Sequence, residues 1–555
     1  MQIDYLVTEE TVEDVIDALD SLLGNVNDYY KKSIERIESM TSARDQNIIK
    51  TILKWVYYAK RPLRVVEIYH ILAIKPGNNS SKRLLNNVES NADLGLEPFI
   101  DRSSGLLTIR EESQIVSVAH PTVQEYLKTQ ESTLLSAAEE EISGRCLTYL
   151  LLDAFADNSY GSHKLIGYRL PSFPFVGYAS TFWGDHLRGK PEENTALQDL
   201  ALDFLKNERL LSISVQVASI STSSIRSYSM YFKKFPGVTV AATFGLVSLV
   251  DRLLGDGADI EETGHDGMTA LYRASEIGCE PVVTLLLNKG ANINAQGGQE
   301  NNALQAASSR GHDRVVKLLL ERGANVNAKG PAYFKSALHA ASDGGHVQVV
   351  TTLLNEGAEP DAADGEEHGP LHKAAANGHT AVVKILLDKG ASINAPSPWF
   401  GNALCTASLG GHIEVVKLLL KNKAPKVEIN MEGGPEFDAL RAASALGHEA
   451  VARLLIKNGA NVNGNQTLEM AALGGHIAIV KLLLQNGADV NEQSDFHNNP
   501  LQAAADKGHK EIVALLLEKG ATANLDDEHW VSLRARRRWM MNDPTMGLIA
   551  SHPRD

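Results

Sequence analysis

Apolar positions in the second half of the chain recur in blocks. In NALQAASSRGHDRVVKLLLERGANVNA, which starts at Asn302, small residues (Ala303, Leu304, Ala306, Ala307) precede a stripe of Val315, Val316, Leu318, Leu319 and Leu320. The i, i+3, i+4 spacing of that stripe predicts an amphipathic helix. The small-residue block predicts a shorter first helix that lets its neighbours approach closely. The same pattern returns at Ser336, Gly369 and Asn402. The glycine between the blocks marks the register: Gly245, Gly278, Gly311, Gly345, Gly378, Gly411, Gly447, Gly475 and Gly508, with spacings of 33, 33, 34, 33, 33, 36, 28 and 33. That makes nine units, with an insertion in the sixth and a shortened hairpin before the eighth. Gly323 is placed as a left-handed residue ending the second helix. Asn325-Val326-Asn327 and the glycine-rich stretch beyond predict an extended hairpin projecting sideways. No such unit can bury its own apolar face, so each depends on stacking against its neighbours.

TALYRAS, PLHKAAANGH and LLLERGANVNA resemble the ankyrin repeat, over about 290 of the 555 residues. The resemblance implies a mainly α fold, an ankyrin-repeat solenoid of about nine helix–turn–helix–hairpin units, and a concave groove that binds protein. The hairpins GGQENNALQAAS, SPWFGNALCTAS and GGPEFDALRAAS look like those of filamentous-fungal arrays. Seven units carry His after the marker glycine: His312, His346, His379, His412, His448, His476 and His509. Copies one repeat apart lie about 10 Å from each other, the usual thickness of packed helical layers, too far to close a tetrahedral metal site. The resemblance implies instead that each His ties one repeat to the next.

Candidate binding residues fall in two sets. Aromatic residues at the hairpin tips (Tyr333, Phe334, Trp399, Phe400, Phe437, Phe496) either anchor a partner, as buried aromatics do, or pack against adjacent hairpins. First-helix positions (Arg273, Lys373, Met470) and loop ends (Arg310, Asn377, Lys507) differ from unit to unit over a constant core. A recognition surface has that character, and so does plain tolerance.

The first 235 residues have another texture. Val15, Leu19, Leu22, Leu23 and Val26 give helical periodicity between Val12 and Ile37. IIKTILKWVYYAKRPL and RVVEIYHILAI read as a helix, a basic turn and a second helix, with SKRLLNNVES in a linker before a strand pair. LLTIR and IVSVA around Glu111–Glu112–Ser113 alternate as a hairpin wing, and Pro121 suits the first turn of a closing helix. The division expected is a helical segment at 1–45, a winged-helix-like domain at 46–135, a helical connector at 136–235, the repeats at 236–525, and a basic then disordered tail at 526–555. KWVYYAKRPLRVVEI followed by SVAHPTVQEYL resembles the winged-helix segment of fungal NLR-like signalling ATPases, in which a NACHT-type nucleotide-binding domain precedes ankyrin repeats. RCLTYLLLDAF and FVGYASTFWGDHL resemble their connector.

That nucleotide-binding domain would precede residue 1, so the ATPase activity is not carried over. Gly184 to Lys190 fits GxxxxGK, but Pro191 replaces the Mg²⁺-ligating Ser/Thr and removes a backbone donor. YASTFW before it reads as helix where a strand is required. Near the other end, Arg534, Arg536, Arg537 and Arg538 form the one concentrated basic cluster. It suits nuclear import, an anion contact or a solvated helix end.

Composition narrows the picture. The net charge is −15, from 53 Lys+Arg against 68 Asp+Glu. That opposes non-specific nucleic-acid binding, which draws on cations neutralising phosphates. Glu111 and Glu112 in the wing would face phosphates in a usual docking. No apolar run reaches transmembrane length, and the start lacks a secretory signal. Cys146, Cys279 and Cys405 have no metal-ligand spacing. GxSxG is absent, and His448-Glu449 lacks the second His of a zinc protease. The expectation is an intracellular, cytoplasmic or nuclear, non-catalytic adaptor or scaffold. It would need no cofactor or metal and would engage a protein partner, with no direct contact to nucleic acid or membrane. Two alternatives stand beside it: a nuclear transcription coregulator acting through a DNA-binding factor, and a truncated NLR-like receptor.

Overall fold

A computed structural model describes residues 27–522 apart from 76, 78, 130–134, 136, 157–171, 223–234, 299–300, 331–335, 362–368, 398–400, 423–425, 432–437, 465 and 494–498. The chain is mainly helical. It divides into two compact bodies, Met1–Ala274 with Thr284–Ala291, and Ser275–Val283 with Asn292–Asp555.

The first body opens with α1 (27–38) and α2 (Ala43–Tyr58). Ser42 caps α2 by accepting a hydrogen bond from the Asp45 amide, and the helix buries Ile49, Ile52, Leu53 and Trp55. Then come β1 (Leu63–Arg64), α3 (Val65–Ala73), α4 (Ser81–Leu94), α5 (Glu97–Arg102), β2 (Leu107–Arg110), β3 (Ile115–Val118) and α6 (Pro121–Thr129). The sheet order is β1-β3-β2. Both pairings are antiparallel, with Leu63 and Ile109 each opposite Val116. β2 and β3 thus form the hairpin around Glu111–Ser113, and its turn closes through Gln114 N–H donating to Arg110 O (2.8 Å). Of the apolar run at 12–37, only 27–37 falls within the described residues.

Helices α7 (Ala138–Leu150), α8 (Asp153–Ala156), α9 (Val176–Leu187), α10 (Thr195–Leu205) and α11 (Glu208–Thr222) follow. α7 packs on α9 around an aromatic core. The Trp55 and Phe175 ring centroids lie 5.4 Å apart, and those of Tyr149 and Phe175 5.1 Å. Inside this core Tyr178 Oη bonds His186 Nε2 at 2.8 Å and accepts from the Lys60 amide at 3.1 Å. His186 Nδ1 meets the Glu139 carboxylate. Glu141 is pushed up by burial, but Arg145 and Lys54 outweigh this and hold its carboxyl below the usual range.

The phosphate-loop look-alike dissolves into this packing. Gly184 lies inside α9, and Lys190-Pro191 belong to a 3₁₀ turn (Lys190–Glu193) rather than to a strand-to-helix loop.

Among the described residues of the second half nine helix pairs follow, one per marker glycine, the first being Gly237–Phe244 with Val247–Gly255. From the third repeat onward the first helices (Ala303–Ser309, Ala337–Asp343, Pro370–Ala376, Ala403–Leu409, Ala439–Ala445, Thr467–Leu473, Pro500–Lys507) pack on one another, and so do the second helices. Asn302, Ser336, Asn402, Asp438 and Asn499 each cap a first helix with a side-chain oxygen. In the eighth repeat, where the hairpin is short, Gln466 takes the cap position at φ +58° with no side-chain bond.

Candidate protein-interaction face

The repeats are held in register by two kinds of side-chain bond. The first comes from the histidine series. His312 Nε2 donates to Glu276 O (2.9 Å), His346 to Ser309 O (3.0 Å), His379 to Asp343 O (3.0 Å) and His412 to Ala376 O (2.7 Å). His448, His476 and His509 do the same to Leu409, Ala445 and Leu473. In each case the acceptor lies at the end of the first helix one repeat earlier. The ring fills space left by that repeat's glycine: a Cβ at Gly311 would stand 2.5 Å from His346 Nδ1. Each imidazole is therefore used for packing and for one backbone carbonyl.

The second kind comes from hairpin asparagines. Asn327 Oδ1 accepts from Glu359 N (3.0 Å) while its Nδ2 donates to Gly357 O (3.0 Å). Asn394, Asn463 and Asn491 bridge their next repeats in the same way. These hydrogen bonds lie at the exposed hairpins, each worth at most about 1 kcal/mol net, and they repeat along the array.

A face free to vary is left along the ends of the first helices. Arg310 Nη2 reaches Glu276 Oε1 (3.2 Å). Asn377 Nδ2 donates to Asp343 O (2.9 Å), and Lys373 Nζ lies 3.6 Å from Asp343 Oδ1. The predicted residues Arg310, Lys373 and Asn377 thus share one polar strip with two acids, Glu276 and Asp343. The Arg273 guanidinium meets Asp266 of its own hairpin at 2.7 Å. Met470 is half-buried and Lys507 is exposed on their first helices. The aromatic tips Tyr333, Phe334, Trp399, Phe400, Phe437 and Phe496, and Arg534, Arg536, Arg537 and Arg538, lie outside the described residues.

The strip changes character along the array. At the positions held by Ser309-Arg310, Asp343-Gly344 and Ala376-Asn377, the sixth to eighth repeats carry Leu409-Gly410, Ala445-Leu446 and Leu473-Gly474. Leu446 is 53% exposed.

The family described as ankyrin repeats (3 copies) matches residues 238–330, 332–397, 397–466 and 468–533, more than half of the sequence. The chain belongs to the ankyrin-repeat family. Comparison with curated proteins returned no match. Ankyrin repeats are interaction modules, and this array carries that role. Among the described residues no helix is long and apolar enough to cross a membrane, and no group of three or more His, Cys, Asp and Glu is arranged to hold a metal.

Residue-by-residue reading missed a charged site inside the array. The third residue of successive first helices is buried: Gln305, His339, His372, Cys405, Arg441, Glu469 and Gln502. At Cys405 burial pushes the thiol up to about 12, so the side chain is a neutral thiol. In the seventh and eighth repeats the row carries Arg441 and Glu469. Near them burial raises the Glu492 carboxyl, Glu469 and Asp489 push in the same direction, and Arg441 pulls it down. Aligning the repeats on their marker glycines exposes this charge substitution, which no local motif reveals.

Proposed function

We propose that this ankyrin protein is a non-catalytic adaptor that captures a protein partner on the first-helix ends and hairpins of its array. The observation that carries the reading is the contrast between constant and variable positions. The histidine and asparagine bonds recur in repeat after repeat, whereas the neighbouring strip runs from Glu276, Arg310, Asp343 and Lys373 to Leu409, Leu446 and Leu473. A rigid, pre-ordered face loses little conformational entropy on binding, and a changing row of side chains supplies specificity. Affinity capture from the source cell tests it. Full-length protein is compared with an Arg310→Ala/Lys373→Ala variant and with one in which Tyr333, Phe334, Trp399 and Phe400 become Ala. A partner held by the wild type and lost by either variant at unchanged melting temperature supports the adaptor. The same proteins recovered by all three baits overturn this face as the working surface.

A second reading, a receptor of the NLR-like kind, draws on the helix–strand–helix–helix–helix–hairpin order of residues 43–118 ahead of the repeats. An in-frame phosphate loop in the upstream coding sequence would support it, and its absence there would remove it.

A further inference from the structure

The second helices of the array carry a column of like charge. Lys384, Lys417, Arg453 and Lys481 are each the fifth of nine residues in the second helices of the fifth to eighth repeats, Thr380–Asp388, Ile413–Lys421, Glu449–Lys457 and Ile477–Gln485. These helices pack side by side, so the four cations recur at the thickness of one helical layer, ~10 Å. Lys384, Arg453 and Lys481 are exposed and Lys417 is half-exposed. The column has ends: the equivalent residue is Thr351 in the fourth repeat and Ala514 in the ninth.

Local energetics do not account for it. The four helices hold six cations and three acids, in a chain whose net charge is −15. Lys421 and Lys457 suit the negative end of a helix dipole, but each follows a cation of the column by four residues, a spacing at which like charges cost stability. In the third repeat the central Lys317 is neutralised by Asp313 at 2.7 Å. Glu414 and Glu449 meet Lys417 (2.7 Å) and Arg453 (2.6 Å), as exposed pairs of small worth. In the fifth and eighth repeats the residue three before the lysine is an exposed alanine, Ala381 or Ala478. Among the described residues no acid pairs with Lys384, Lys421, Lys457 or Lys481.

Charge kept against its own repulsion suits an anionic ligand, and the shape of the column selects the class. The four helices contain no Phe, Tyr or Trp, so they offer no platform for the bases of a single strand. A duplex or a lipid surface is wider than one side chain and would press its phosphates on Asp388, Glu414 and Glu449 as well. An extended peptide is narrow enough. In the polyproline II conformation every third side chain returns to the same side after ~9 Å, close to the step between repeats.

We propose that Lys384, Lys417, Arg453 and Lys481 bind an extended acidic segment of a partner protein, about ten residues long, with Asp or Glu at every third position.

Fluorescence anisotropy of the full-length protein with a labelled peptide of four Glu-Pro-Pro triplets tests this. Two further peptides serve as controls, one of four Gln-Pro-Pro triplets and one of the same composition with its four glutamates contiguous. Two variants are compared with the wild type, both checked for unchanged thermal melting. Lys384→Gln/Lys417→Gln/Arg453→Gln/Lys481→Gln removes the column. Ala381→Glu/Ala478→Glu gives Lys384 and Lys481 the acid that Glu414 gives Lys417, and it decides the matter alone if the fourfold variant misfolds. The triplet peptide should bind the fourfold variant about tenfold more weakly than the wild type, as four exposed charge pairs imply, and the alanine variant should shift in the same direction. The wild type should bind both control peptides more weakly. Arg310→Ala/Lys373→Ala, on the first helices, should bind the triplet peptide like the wild type, which keeps this result separate from the adaptor reading. No binding by the wild type, or equal binding by wild type and column variants, overturns the proposal. Equal binding of the contiguous peptide overturns the spacing. Duplex DNA and vesicles containing phosphatidylserine are run in parallel: either one bound more tightly than the peptide and lost in the variants overturns the peptide as occupant.

Discussion

Gly184 lies directly under the ring of Phe244: a Cβ at Gly184 would stand 2.2 Å from Phe244 Cγ. Trp183 completes the contact, with its ring centroid 5.0 Å from that of Phe244. The glycine that mimics a phosphate loop is thus a packing glycine, and it joins α9 to the first helix of the first repeat. Gly184→Ala should destabilise the first body by about 1–3 kcal/mol, the usual cost of overpacking. Gly255→Ala, where nothing lies within 4 Å of the added carbon, is the control and should be neutral or slightly stabilising. Urea unfolding of both variants distinguishes packing from a general loss of glycine.

Glu192 makes a second join between the connector and the first repeat. Its buried carboxylate accepts from Ser248 N (2.6 Å) and Leu249 N (3.2 Å), at the start of a helix whose own cap, Leu246, has no side-chain acceptor. Arg252 adds bonds to Gln198 (2.9 Å) and Asp199 (2.8 Å). Glu192→Ala should cost about 1–2 kcal/mol, as loss of a helix cap does. Hydrogen exchange should show the loss at Ser248 and Leu249 first; unchanged protection there would refute the capping role.

Removing one histidine tie should loosen the array locally. His379→Ala deletes the bond to Asp343 O and leaves the space over Gly345 unfilled. We expect a loss of about 1–3 kcal/mol from the carbonyl left unpaired, with unfolding beginning between the fourth and fifth repeats. Hydrogen exchange resolved by repeat checks the location.

Acid should weaken the first body through His70. Burial lowers its imidazole from 6.5 to about 4, with Glu67 opposing, and its Nδ1 bonds Tyr149 Oη at 2.9 Å. The folded protein keeps this ring neutral, while the unfolded chain protonates it below 6.5. Protons therefore favour unfolding, and stability falls as pH drops from about 6.5 to about 4. The loss is on the order of 3 kcal/mol across that window. Denaturant titrations at pH 7 and pH 4.5 should show a smaller difference in His70→Gln than in the wild type.

Arg441 sits among acids within the array. Arg441→Met should destabilise the second body by roughly 3–5 kcal/mol, because buried carboxylates lose their counter-charge. Glu492 should then titrate higher still. The defect should ease as pH is lowered through the carboxylate range, and a pH-independent defect would point to lost packing instead.

Much of this was legible in the sequence. The spacing of Val315, Val316 and Leu319, the marker glycines and the small residues at Ala306 and Ala307 specify helix pairs, because helical periodicity and left-handed turns are local properties. The tie made by the seven histidines followed from the ankyrin resemblance rather than from their spacing. The alternation of LLTIR and IVSVA was enough to indicate the hairpin. Pairings across distance were not legible. Nothing near Gly184 in sequence signals Phe244, and nothing near Glu192 signals Leu249, since these contacts depend on how α9 and the 3₁₀ turn meet the first repeat. Sequence by itself determined the repeating unit, since each unit's helices and turns follow from its own residues. Tertiary structure alone decided which side chains meet between units, since burial and charge at a point are summed over residues the chain keeps far apart.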